Sequence, residues 1–153
     1  MAAAPLPATD AGTSPRPTTV TFLFTDIEGS TRLWEESPEM FERVEQHFRV
    51  LRSAVEEAGG EVFTTLGDGV AAAFGSVDSA VRAAVAAQRH MVPIGLDVRM
   101  GIHTGDVERA GGDFRGRPVN RAARIMAVGH GGQILLSDVS ASFVSNPRWT
   151  RTN

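Results

Sequence analysis

The 153-residue chain contains no cysteine, no lysine and no tyrosine. Without cysteine there is no disulfide, no thiolate nucleophile and no Cys-ligated zinc, and the expected setting is a reducing one, the cytoplasm. The combined Lys and Arg count of 15 is therefore all arginine. That excludes every mechanism needing a lysine of this chain, Schiff bases and the P-loop lysine included. No apolar stretch approaches the ~20 residues that span a bilayer. The opening "MAAAPLPATDAGTSPRP" lacks the basic-then-apolar order of a signal peptide. A formal net charge of −3 gives no reason to expect a nucleic acid polymer or an anionic membrane as partner.

What is present is an ordinary globular composition, 42% apolar and 22% charged, enough for one domain with a real core. Residues 1–17, rich in Pro, Ala, Thr and Ser, read as a disordered arm, and residues 18–153 as the single domain. Val20 to Phe24 is nearly all apolar, as a strand covered on both faces is. Ser37-Pro38-Glu39 reads as an N-cap followed by proline at the first helical position. Behind it, Phe41, Val44, Phe48, Leu51 and Val55 mark one face of a long helix, which Gly59-Gly60 ends. "EVFTTL" and "VAAAF" flank Gly67-Asp68-Gly69, a hairpin signal. A helix capped by Ser76 follows, with Val77, Ala80, Val81, Ala84 and Val85 inward. Next come the strand "LDVRMGIHTGDVERA", a loop at Gly111-Gly112, the short helix "PVNRAARIMAVG" and the strand "GQILLSD". The order strand, helix, hairpin, helix, strand, helix, strand predicts an α/β (α+β) sandwich of the ferredoxin-like βαββαβ kind.

In such a sheet the first strand lies beside the hairpin, so Asp26 at the strand end and Asp68 at the hairpin tip emerge at one edge. Two carboxylates close together without a counter-ion attract a hard divalent cation. Two such ions held roughly 3.5–4 Å apart clamp both oxygens of a phosphoryl displacement. After Asp26, "IEGST" offers Gly29 for close backbone approach, and Ser30-Thr31 to open a helix whose N–H groups bind phosphate. Taken singly, each aspartate reads equally as a turn or cap residue. Asn120 and Arg124 are spaced i, i+4 and share a helix face; amide beside guanidinium suits developing charge on phosphate and a ribose oxygen, although the same spacing also describes a solvated stripe.

"FLFTDIEGSTRLW", "TTLGDGVAAAF", "VRMGIHTGDV" and "DFRGRPVNRAARI" resemble, in order and spacing, the successive motifs of class III nucleotidyl cyclases, most closely the single-domain adenylate/guanylate cyclase modules of bacteria. The resemblance runs from about Val20 to Asp138. It implies that Asp26 and Asp68 bind two Mg²⁺ or Mn²⁺ ions with the Ile27 carbonyl, and that Glu28, Gly29, Ser30 and Thr31 line the nucleotide. It further implies that Asn120 and Arg124 orient the ribose and stabilise the transition state, and that Asp113 reads adenine. The implied reaction converts ATP to 3′,5′-cyclic AMP and pyrophosphate between two subunits of a head-to-tail homodimer, one giving Asp26 and Asp68, the other Asp113, Asn120 and Arg124.

The match departs from the family in two places. Adenylate cyclases usually carry a lysine where this chain has Thr64; threonine still donates one hydrogen bond to adenine N1 while Asp113 accepts from the N6 amine, which favours ATP over GTP. The family normally continues with a further strand pair bearing a basic phosphate contact, and the sequence reaches Asn153 near where that pair should begin, so activity is expected to be reduced. Two other readings stand beside the enzyme. A cyclase-fold module could bind nucleotide or dimerise without catalysis. A phosphatase of the haloacid-dehalogenase type could use Asp26 as nucleophile with Glu28 as its acid, but needs a lysine. His103 is expected to make a structural hydrogen bond, His47, His90 and His130 to lie on helix surfaces or in loops, Trp34 to pack the first helix onto the sheet, and Phe41 and Phe48 to be core or dimer contacts.

Overall fold

The computed structural model describes residues 18–36, 38–110 and 113–146. The expected disordered arm, the Ser37 cap, the Gly111-Gly112 loop and the last residues of the chain fall outside them. β1 (Thr18–Ile27) is followed by α1 (Ser30–Glu36), α2 (Met40–Glu57), the hairpin β2 (Glu61–Leu66) and β3 (Gly69–Phe74), and α3 (Val77–Met91). Then come β4 (Val98–Ala110), β5 (Asp113–Arg115), α4 (Arg117–Ala127), β6 (Ile134–Leu136) and α5 (Asp138–Ser142). The sheet order is β2-β3-β1-β4-β5, with β6 parallel to β4 and β1 antiparallel to both its neighbours. This is the mixed α+β, ferredoxin-like arrangement the element order predicts.

β1 is central and buried on both faces. Leu23 and Ile27 join Leu51, Phe74, Met100 and Ile102 in the cluster under α2 and α3. Val20, Phe22 and Phe24 face the other way, with Phe63, Phe114 and Ala122. On that second face, rings of Phe22, Phe24, Phe63 and Phe114 meet edge to face at 5.1–6.4 Å, the favoured aromatic geometry. α4 covers β4 at two glycines: a Cβ on Gly101 would lie 2.3 Å from the Met126 backbone nitrogen, and one on Gly105 would lie 2.6 Å from Pro118 Cγ. Only glycine admits the helix that close.

Four expectations change. α2 starts at Met40 with Glu39 at its N-cap and no side-chain cap bond. Its inward face is Met40, Val44, His47, Leu51 and Val55, while Phe41 is 67% exposed. Val44, Leu51 and Val55 face inward as expected and Phe48 packs against the core, but Met40 takes the place expected of Phe41, and His47 is completely buried rather than at the surface. Trp34 stays 45% exposed because α1 buries none of its residues, so Trp34 does not pack that helix onto the sheet. The Ser76 cap is as expected, its side chain accepting from the Ser79 N–H at 3.2 Å.

Candidate active site

Pairing between β1 and β3 stops at Thr25, whereas pairing with β4 runs on through Asp26 and Ile27. The hairpin turn therefore comes to rest against the protruding end of β1. A Cβ on Gly69, at the start of β3, would lie 2.5 Å from the Thr25 carbonyl oxygen and 3.6 Å from Asp26 Cβ. Asp68 is the residue before it, in a turn whose Gly67 has φ +61°, as a tight hairpin requires. Asp26 and Asp68 thus share one end of the sheet, as their positions in the sequence predict.

The backbone of Ile27 turns toward the same place. In an antiparallel strand one residue's N–H and C=O point the same way. The Glu28 N–H donates to the Asp97 carbonyl at 2.8 Å, so Glu28 and Asp26 point toward β4 and Ile27 points toward the β3 side, beyond the last paired residue. Two carboxylates and one carbonyl are a partial oxygen set. Among the described residues no three His, Cys, Asp or Glu side chains gather around one point. Oxygen donors of this kind suit Mg²⁺ or Mn²⁺, hard ions that retain waters and take phosphate oxygens.

Sequence reasoning missed Arg99. It lies opposite Asp26 on β4 and grips it with both ends of its fork, Nε to Oδ1 at 2.7 Å and Nη2 to Oδ2 at 2.5 Å. Its remaining nitrogen, Nη1, donates to the Ala127 carbonyl at the C-terminus of α4, 3.2 Å away. The Asp26 bonds raise the guanidinium further above its ordinary range, and Asp26, Glu28 and Asp68 add to the attraction. The expected pair of uncompensated carboxylates is thus corrected: one already has its cation. A carboxylate has about four lone-pair positions, so Asp26 accepts both Arg99 bonds and keeps acceptor capacity for a metal. The available signal was one arginine in a strand otherwise apolar at Val98, Met100 and Ile102.

Glu28, expected beside the nucleotide, has its N–H and one carboxylate oxygen engaged within the chain. Beyond the N–H bond to Asp97, its Oε2 accepts from the Gly131 N–H at 2.7 Å. Gly29, at φ +68°, makes the turn into α1, and Ser30 and Thr31 open that helix. Thr64 sits on β2 beside a bulge, opposite Ala71, which places it on the α4 face of the sheet. Asp113 opens β5 opposite Ala110 and is described by its backbone. Strand order puts β2 and β5 at opposite edges, yet the sheet curls over. Phe63, next to Thr64, meets Phe114, next to Asp113, at 5.1 Å. Arg109 stacks 4.9 Å above the Phe114 ring and bonds Glu61 on β2 at 2.6 Å. The two elements carrying the expected base readers are therefore joined.

Asn120 and Arg124 are exposed on α4, whose opposite side packs Val119, Ala122, Ala123 and Met126 into the second cluster. Among the described residues, no hydrogen bond or ion pair connects either to Asp26 or Asp68. One chain thus presents two separate groups, a carboxylate edge and a polar helix face. His103 behaves structurally: its Nδ1 is 2.7 Å from Ser137 Oγ, and burial, helped by Arg121, lowers its pKa.

The sequence model of the adenylate and guanylate cyclase catalytic domain matches residues 13–152. An uncharacterized protein of Mycobacterium tuberculosis is 36% identical over 131 residues, covering 83% of this chain and 45% of its own. A receptor-type adenylate cyclase of Trypanosoma equiperdum is 32% identical over 175 residues, covering 82% of this chain and 37% of its own. The chain therefore spans less than half of these curated relatives. Among solved structures, the adenylyl cyclase CyaB from P. aeruginosa superimposes with a TM-score of 0.77 at 25% identity, over 86% of this chain and 82% of that one.

Proposed function

This chain belongs to the adenylate and guanylate cyclase catalytic domain family, and from that premise we propose that it converts ATP to 3′,5′-cyclic AMP and pyrophosphate at the interface of a head-to-tail homodimer. The observation that carries the reading is the convergence of Asp26, the Ile27 backbone and the Asp68 hairpin turn at one end of the sheet. A purely structural domain has no use for a hairpin-tip carboxylate at the strand end that bears a second one.

Asp26, Asp68 and the Ile27 carbonyl would hold two divalent ions, Mg²⁺ or Mn²⁺, which when bound would supply Lewis-acid stabilisation of phosphate charge. The ribose 3′-oxygen gives its proton to solvent water and bonds to the α-phosphorus as the bond to the bridging oxygen breaks and pyrophosphate leaves. Asn120 of the second subunit orients the ribose, and Arg124 offsets charge that grows on the α-phosphate in the transition state. The Gly29 turn with Ser30 and Thr31 faces the triphosphate, and Arg99 is the nearby cation. Glu28 contributes through the loop it braces rather than by contact. Thr64 donates to adenine N1 and Asp113 accepts from N6; guanine would set its O6 acceptor against the carboxylate, an unfavourable pairing. With threonine for a charged donor, base recognition is weaker by ~1.5–3 kcal/mol.

The competing reading is a nucleotide-binding or dimerising module without turnover, favoured by Thr64 and by the cation already on Asp26. Incubation with ATP and Mn²⁺, with mass-spectrometric detection of product, separates the two. Cyclic AMP that disappears in Asp26→Ala and in Asp68→Ala establishes the enzyme. Turnover that survives either substitution removes the two-metal assignment, and a folded dimer that binds ATP without product leaves the module.

A further inference from the structure

Three segments meet behind the metal edge. Glu28 Oε2 accepts from the Gly131 N–H at 2.7 Å, and the Glu28 N–H donates to Asp97. Gly131 is seated so tightly that a Cβ there would lie 2.3 Å from Asp97 Cβ and 2.9 Å from Glu28 Oε2. The Gly132 N–H donates to the Val98 carbonyl at 2.9 Å. Arg99 joins the same unit, holding Asp26 with two nitrogens and the Ala127 carbonyl with the third. Residues 26–28, 97–99 and 127–132 are thus one hydrogen-bonded joint. Asp26 is at one end of it. At the other is the C-terminus of α4, the helix bearing Asn120 and Arg124.

We propose that Glu28 is a positioning residue that, through Gly131, holds the C-terminal end of α4 in place relative to Asp26. This rests on the cyclase reading above. In a head-to-tail dimer Asp26 serves one site and α4 the other, so Glu28 ties the metal edge of one site to the transition-state helix of its twin. A carboxylate accepting a backbone N–H is a charge-assisted bond, and here the donor lies in the loop that sets where α4 ends. The role differs from ligation of metal or nucleotide, because the carboxylate acts on the chain's own backbone.

Two measurements test it on the full chain. The first is amide hydrogen exchange of the segment containing Gly131, followed without any ligand. Glu28→Ala should speed that exchange about tenfold or more, as loss of a local closing bond does; Glu28→Gln, whose amide oxygen still accepts, should restore most of the protection. Unchanged exchange in Glu28→Ala overturns the proposal.

The second measurement uses heterodimers of Asp68→Ala with Asn120→Ala, in which the intact site takes its aspartates from the Asn120→Ala subunit and its helix from the Asp68→Ala subunit. Glu28→Ala added only to the Asp68→Ala subunit should lower kcat about fivefold or more while leaving the KM for Mn²⁺ unchanged, the pattern of a lost transition-state contact. Loss only when Glu28→Ala sits on the subunit giving the aspartates means a direct contact, and overturns the proposal. If mixing yields no turnover although heterodimer is present, the shared-site part of the cyclase reading fails and the exchange result alone decides the role of Glu28.

Discussion

His47 occupies a core position of α2, where an apolar side chain is the usual occupant. It is completely buried in α2, its Nδ1 lies 3.3 Å from the Val44 carbonyl, its ring meets Phe48 edge to face, and its Nε2 has no partner among the described residues. Burial lowers its pKa below 6.5, against smaller opposing effects of the Val44 carbonyl and the Asp68 charge. His103 is lowered likewise, by burial and then by Arg121. The sign of the pH dependence follows from linkage. Above pH 6.5 both rings are neutral folded or unfolded and contribute nothing. As pH falls below 6.5 the unfolded chain takes up protons that the folded chain refuses, so stability drops until the folded-state values are reached. Urea unfolding should therefore give a lower midpoint at pH 5 than at pH 7. Part of that difference should vanish in His47→Leu, which also removes an unsatisfied buried nitrogen that costs about 1–3 kcal/mol. An equal pH dependence in wild type and variant would show that His47 takes no part in it.

At the scale of elements, the α4–β4 contact decides where Asn120 and Arg124 stand. Glycine in a central strand weakens it, so Gly101→Ala would ordinarily stabilise by about 0.5–1 kcal/mol. Here the new Cβ meets Met126 backbone at 2.3 Å and 2.7 Å, where no rotamer change gives relief. Overpacking of this kind costs about 1–3 kcal/mol, so the net effect is destabilising and α4 must shift. Denaturant melts should show the loss, and cyclic nucleotide output should fall by more than the lost folded fraction if the helix carries, in Asn120 and Arg124, the transition-state pair proposed above. Elements of this size were legible from sequence for physical reasons. β1 and β3 are apolar on both faces, α3 carries its Ser76 cap, and the hairpin carries Gly67-Asp68. β5 at 3 residues and α5 at 5 residues are too short for any period to register. In α2, Phe41 competed with Met40 for the same stripe, and only packing against α3 chose between them.

The whole molecule explains why half the site could be read in advance. Asp26 and Asp68 were legible because strand end and hairpin tip are local features that any β1–β3 pairing brings together. Arg99 and Gly131 were not, being 73 and 103 residues from their partners, set there by the register of β4 and the course of the α4–β6 loop. Among the described residues no hydrogen bond or ion pair links Asp26 or Asp68 to Asn120 or Arg124, and the reading proposed above brings the two groups together across two chains. In a head-to-tail pair each of two equivalent sites takes its aspartates from one subunit and its helix from the other. Asp26→Ala and Asn120→Ala homodimers then each spoil both sites. An equal mixture with free subunit exchange contains about half heterodimers, each with one site built wholly from intact residues and one doubly damaged. Specific activity should recover to about one quarter of wild type, rising linearly with the heterodimer fraction measured by native mass spectrometry. No recovery with heterodimer present would place both residue groups in a single-chain site, and α4 would then have to swing toward Asp26, breaking the Arg99 bond to Ala127.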